Sequence, residues 1–245
     1  MRNRLLSALF LSILPLFVLA QPKGVEFRYT STFPLSESFL AIEDETVRSI
    51  ILQRIKDDKK VYTLTVDGNK YLFSKDSASV DKMPLEVDYL HVYLDFDNLI
   101  KTSQIKYNGK LYLVSDSLLA DEWVVSDTLD TIQGRVCHKA TLKQDKAVVA
   151  WFDPEIAVNC APFGYTGLPG LVVRMELPFA HLNLQSLHSV DNVSLSAPVK
   201  GKKLDSKRFK QLVDNNFSIV TVVDKLVDNC RTIKTRLSFI IYIIK

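Results

Sequence analysis

Glycine is scarce in this chain: eight in 245 residues, alongside nine prolines, three cysteines and two tryptophans. Together with 47% hydrophobic and 24% charged residues, that scarcity excludes a low-complexity fibre and a disordered chain. Net charge is nearly absent as well. The formal value is +3, and setting aside residues 1–20 leaves 29 basic residues against 28 acidic ones. A balance this even gives no opening to a nucleic-acid reading. Internal repeats and linkers rich in proline, glycine or serine are also missing, so residues 21–245 read as one domain. Three chemical signatures are absent too: a Gly-x-Ser-x-Gly elbow, a His-Glu-x-x-His helix and a phosphate loop.

Long apolar runs occur only at the two ends. Arg2 and Arg4 precede an apolar stretch from Leu5 to Leu19, broken by Ser7, Ser12 and Pro15, and Val18-Leu19-Ala20 offers a cleavage site before Gln21. This is the layout of a secretory signal peptide over 1–20. A membrane span wants about 20 apolar residues, and Pro15 argues further against an anchor helix. No cysteine stands at or near position 21, which removes a lipid anchor there. The expected destination is outside the cytoplasm, periplasmic or secreted. At the other end, Arg236–Lys245 is apolar on both strand faces and too short to span a bilayer as a helix. In an exported chain Cys137 and Cys160 are candidates for a disulfide, with buried free thiols as the alternative, while Cys230 lies far away. A bond across that loop would stabilise by about 3 kcal/mol.

Between the ends, period-two alternation dominates. Val25, Phe27 and Tyr29 alternate with Glu26 and Arg28. Asp67-Gly68 and Asn108-Gly109 each stand between alternating runs as two-residue hairpin turns. In 89–97 the even positions are apolar, whereas His91, Asp95 and Asp97 predict a wet odd face. Arg135–Lys143 and Ala147–Asp153 make another hairpin around Gln144-Asp145-Lys146, and Leu171–Leu177 turns at Pro178–Ala180 into Leu182–Val190. Helical spacing appears twice. Val47, Ile50, Ile51, Arg54 and Ile55 follow it, with Ser36 as a cap upstream; Asp205 caps a second helix through Phe209, Leu212 and Val213, and Ile219–Val227 continues its period. The expected fold is mainly β with minor α: a single domain of curved antiparallel sheet or partly open barrel, with one or two packed helices.

The few glycines and prolines gather in one place. Gly164, Gly167 and Gly170 fall within seven residues, with Pro154, Pro162 and Pro169 in or beside them. Such a loop has a specified shape, read either as a structural corner beneath the sheet or as a ligand-contacting loop.

The residues here resemble the GLPGLI family of exported proteins from Bacteroidota. The resemblance rests on Ile132-Gln133-Gly134-Arg135-Val136-Cys137-His138-Lys139-Ala140, Ala150-Trp151-Phe152, Glu155-Ile156, Pro162, Tyr165 and Gly167-Leu168-Pro169-Gly170-Leu171. Val172 stands where the motif expects its last isoleucine. The match is close over 130–177 and holds only as a strand pattern over 23–130; residues 218–245 match nothing in the pattern and form an atypical C-terminal segment. The resemblance implies a secreted or periplasmic β-rich protein of unestablished activity. Trp151, Pro162, Tyr165, Gly167, Leu168, Pro169, Gly170 and Leu171 become the candidate binding or motif residues.

Chemistry is harder to assemble. Cys137 and His138 are adjacent, so on a strand they face opposite ways. His181 and His188 do the same, and His91 and Asp95 share a face about 13 Å apart. No catalytic residue, metal ligand or cofactor is assigned. Lys200, Lys202, Lys203, Lys207, Arg208 and Lys210 form a solvated face or a contact for anionic lipid headgroups. Two functional readings follow. The first is a non-enzymatic binding or envelope accessory module for a hydrophobic ligand, peptide or partner protein. The second is a hydrolase or metal-dependent enzyme in which His91, His138, His181, His188 and aspartates converge.

Overall fold

The computed structural model describes residues 23–35 and 40–216. The expected signal peptide, the Ser36 cap, Cys230, the helical period over 219–227 and the apolar run 236–245 lie outside the described residues. The described chain is mostly strand. In chain order the strands are β1 (Lys23–Thr32), β2 (Lys60–Asp67), β3 (Lys70–Lys75), β4 (Val87–Asp95), β5 (Ile100–Tyr107), β6 (Lys110–Ser117), β7 (Trp123–Ile132), β8 (Arg135–Leu142), β9 (Val149–Asp153), β10 (Leu171–Leu177), β11 (Ala180–Asp191) and β12 (Lys202–Leu204). Helix α1 is Glu45–Asp57 and helix α2 is Ser206–Asn216.

All twelve strands join one sheet in the order β12-β6-β5-β4-β3-β2-β1-β11-β10-β9-β8-β7. The sheet curls but does not close. Every pairing is antiparallel except β12 with β6. The register sets Tyr29 opposite Tyr62, Leu64 opposite Phe73, and Phe73 opposite Val92, so their side chains share the inner face. These residues are buried, and with Met175, Leu182 and Leu184 they belong to the main core. A smaller core forms at the β5–β6 end, where Phe209 and Val213 of α2 cover Ile105, Tyr107 and Tyr112.

Local chemistry explains most of the elements. Asn108 and Gly109 both take positive φ, 47° and 73°, as a two-residue primed turn demands. Gln133-Gly134 repeats this geometry between β7 and β8. The Asp67-Gly68 expectation is off by one residue: Asp67 pairs with Lys70, so Gly68-Asn69 makes the turn and the positive φ falls on Gly68. Helix α1 is capped by Asp44, whose carboxylate accepts the Val47 amide at 3.1 Å. Asp205 caps α2 as expected, accepting the Arg208 amide at 2.7 Å.

The predicted wet face of β4 is wet only in part: Asp97 is exposed and His91 half-buried. Tyr93 and Asp95 are buried, because Asp95 turns its carboxylate onto the following loop, accepting the amides of Asp97 and Asn98 and the Asn98 side chain. Those hydrogen bonds hold its pKa below the ordinary carboxylate value.

Candidate functional site

The glycine- and proline-rich segment crosses the inner face of the sheet as a plug. Its single 3-10 turn, Pro162–Gly164, is wholly buried. Phe163, in a left-handed conformation at φ 59°, drives its ring into a cage of Tyr62, Phe73, Tyr89 and Phe179, with ring centroids 5.0–6.1 Å away. A non-glycine residue in that region is strained, and the cage of aromatic contacts offsets the strain. Lys101, on β5 at the inner face, donates its amine to the Gly164 carbonyl at 3.0 Å.

After the plug, Thr166 locks the chain to the β6–β7 connection. Its amide donates to the Asp121 carboxylate at 2.8 Å, its hydroxyl donates to the Leu119 carbonyl at 3.1 Å and accepts from the Asp121 amide at 3.3 Å, and its carbonyl accepts the Trp123 indole N–H at 2.8 Å. Gly167 follows at φ 88°, and Leu168 is buried. Gly170 then passes against the Asp153 backbone and leads into Leu171, Val172 and Val173, which are fully buried. The segment is a structural corner, and it carries one open feature. A pocket of about 390 Å³ lies at its rim, lined by Thr166, Gly167, Leu168 and Pro169 with Phe96, Leu99, Leu118, Ala120 and Asn159. The hydrogen-bonding groups of Thr166 are all engaged, so the pocket wall is mainly apolar.

The electrostatics here point away from nucleophilic chemistry. Burial pushes the Cys160 thiol up to about 12 against the attraction of Lys101, and burial also raises Cys137. Both are free thiols in separate surroundings and stay protonated at neutral pH. Burial lowers the Lys101 amine, opposed by the charges of Asp121 and Asp116, and it raises Asp121, opposed by the Thr166 amide and Lys101.

Among the candidates from sequence, Gly167, Leu168 and Pro169 line the pocket. Pro162, Gly170 and Leu171 are structural. Tyr165 packs edge-on to Trp123 with centroids 6.0 Å apart. Trp151 lies elsewhere, half-buried against the main core, with the Lys139 amine 5.7 Å from its ring centre. The four histidines are not brought together: His91 is hydrogen-bonded to Ser74 on β3, His138 stacks on Phe152, and His181 and His188 lie along β11. Among the described residues no group of three or more His, Cys, Asp or Glu is placed to hold a metal ion. Sequence reading missed Phe163, Lys101, Asp121 and Trp123, and the pocket residues Phe96, Leu99, Leu118, Ala120 and Asn159. Nothing local marks them, since the fold gathers them from separate strands and connections.

Residues 104–174 match the model of a family described as a protein of unknown function (Porph_ging). That span runs from within β5 into β10 and holds the whole plug. No curated protein matches the chain. Among solved structures, the chain is similar to PNGF-II in a P21 space group, at 14% identity and a TM-score of 0.47, covering 79% of this chain and 33% of that one. It is also similar to PNGF-II in a C2 space group, at 12% identity and a TM-score of 0.47, covering 78% and 32%. The chain spans about a third of the length of each.

Proposed function

We propose that the chain is an exported cell-envelope binding module of the GLPGLI type from Bacteroidota, periplasmic or secreted, whose rim pocket holds a hydrophobic ligand. The observation that carries this reading is the pocket itself: about 390 Å³, walled by Phe96, Leu99, Leu118, Leu168 and Pro169, at the edge of a turn held rigid by Thr166. That volume lies within the ordinary range of small-molecule sites. Leu99 adds a second support. It stands at φ 53° and is 58% exposed at the pocket mouth. An apolar, non-glycine residue held in a strained conformation and in water points to a contact that the isolated chain lacks.

Ala120 is exposed and lines the same pocket, so Ala120→Trp fills it without entering the core. Titration with an apolar fluorescent probe is expected to show saturable binding, weakened at least about tenfold in Ala120→Trp at an unchanged melting temperature. Equal binding by both proteins overturns the assignment. Export is checked separately, by mass spectrometry of the protein recovered outside the cytoplasm. It is expected to begin at Gln21, and retention of residues 1–20 contradicts it.

A further inference from the structure

At the β12 end of the sheet, far along the strand order from the open edge at β7, charge and exposed apolar surface coincide. Six basic residues and one acidic residue occupy positions 200–210, so a chain that is near neutral as a whole carries a local excess of positive charge here. The backbone in this stretch is pinned. Buried Gln104 donates its side-chain amide to the Lys200 carbonyl at 2.7 Å. Gly201, at φ 138°, lies so close to β6 that a Cβ would come within 2.9 Å of the Tyr112 backbone. Lys202–Leu204 then pairs with Tyr112–Val114.

Immediately before these pins Val199 stands 82% exposed, more than any other large hydrophobic residue described. Because β12 runs parallel to β6, residues 199–201 lie beside the β5–β6 hairpin tip, where Leu111 is also exposed. Lys106 pairs with Leu111, and Lys203 and Gln104 each pair with Leu113, so Lys106, Leu111 and Lys203 share the outer face. Along the β12 edge of that face a second pocket, about 410 Å³, is lined by Leu113, Val199 and Lys203 and reaches round to Arg208 of α2. Lys106, Lys110, Lys200, Lys202 and Lys203 are all exposed. The acidic neighbours are each engaged: Asp88 stands opposite Lys106 but is bonded to Lys75, Asp116 accepts the Ser206 amide, and Asp205 holds Arg208 and the start of α2.

A valine held rigidly in water among lysines fits a boundary with phosphates above and hydrocarbon beneath. We infer that this outer face docks on an anionic lipid bilayer. Val199 and Leu111 enter the boundary between headgroups and acyl chains, while Lys106, Lys203 and Arg208 face lipid phosphates. The inference is independent of the rim pocket, which uses other residues.

The test is sedimentation of the full chain with vesicles of phosphatidylglycerol mixed into phosphatidylcholine, against pure phosphatidylcholine, at low and high salt. Each basic residue near an anionic surface contributes roughly fivefold in affinity. Binding is therefore expected to be at least about tenfold tighter to the anionic vesicles and to weaken at high salt. The double variant Lys106→Glu/Lys203→Glu and, separately, Val199→Asp are each expected to lose at least about tenfold. Both alter exposed side chains, and unchanged melting shows that they fold. The apolar runs 5–19 and 236–245 are common to every variant, so binding through them would persist in the variants and on neutral vesicles. That result, equal binding to both vesicle types, or binding of soluble dodecyl phosphate without vesicle binding overturns the inference.

Discussion

Gly167→Ala is expected to destabilise the fold by roughly 3 kcal/mol or more, and Gly109→Ala by only about 1 kcal/mol. The pair separates two physical causes. Both glycines have positive φ, 88° and 73°, and share the conformational penalty of an added Cβ. They differ in surroundings. A Cβ at Gly109 meets nothing within 4 Å, whereas at Gly167 it would stand 2.4 Å from the Asp121 carbonyl oxygen. That carbonyl belongs to the connection that grips Thr166, so it cannot retreat without breaking the hydrogen bonds that fix the turn. Gly170 isolates the second cause, since its φ is not positive yet its Cβ would lie 2.3 Å from the Asp153 carbonyl oxygen. Gly170→Ala is therefore expected to cost about 2–3 kcal/mol by contact alone. Urea denaturation of the three variants checks the order; equal losses at all three positions would show that the plug is not tightly held.

Asp58→Ala is expected to cost about 3–5 kcal/mol. Asp58 and Lys60 are both buried, at 1% and 3% exposure. The Asp58 carboxylate accepts the Lys60 amine at 2.6 Å and the amides of Lys82 and Met83, each at 2.8 Å. Lys60 also donates to the Met83 carbonyl at 2.9 Å and lies 3.3 Å from Asp81, which pairs in turn with Lys75. Truncating Asp58 strands two amides and leaves the buried ammonium with only the Met83 carbonyl and Asp81, so the loss exceeds that of an exposed ion pair. Asp58→Asn combined with Lys60→Met is expected to lose less than the sum of the two single changes, and a double-mutant cycle measures the difference. Acid acts on the same cluster. Burial alone would raise Asp81, but the hydrogen bond and charge of Lys75 and the charge of Lys60 outweigh it and hold Asp81 below its ordinary 3.8. A depressed carboxylate stabilises fully above the unfolded value, so this contribution is expected to disappear as pH falls from about 4 through the folded value.

Legibility in the sequence followed locality. Asn108-Gly109 and the Asp205 cap were readable because a few adjacent residues determine each. Strand β7 was not, since Ser126-Asp127-Thr128 interrupt its alternation. The register shows why: Val125 pairs with Ala140 and Leu129 with His138, leaving three residues opposite one. Strand β12 is three residues long and parallel, and its lysines read as a solvated linker. Asp95 looked solvent-facing because nothing in a period-two pattern shows a carboxylate turning back onto the next loop. The glycine cluster announced a shaped segment, and glycine chemistry left both a structural corner and a ligand-contacting loop open. Its partners were not readable, because Lys101, Asp121 and the Phe163 cage come from strands and connections distant in sequence. The family resemblance groups Trp151 with the motif, yet β9 sets it opposite Lys139 and Arg174, away from the rim pocket.

Whether the rim pocket is the binding site is tested most directly by methyl NMR of the full chain titrated with the apolar probe. The methyls of Leu99, Leu118 and Leu168 are expected to shift together and saturate with one dissociation constant, while those of Leu129 and Val199 stay in place. Saturable probe binding that moves Leu129 or Val199 and leaves the three pocket leucines unshifted would contradict the assignment.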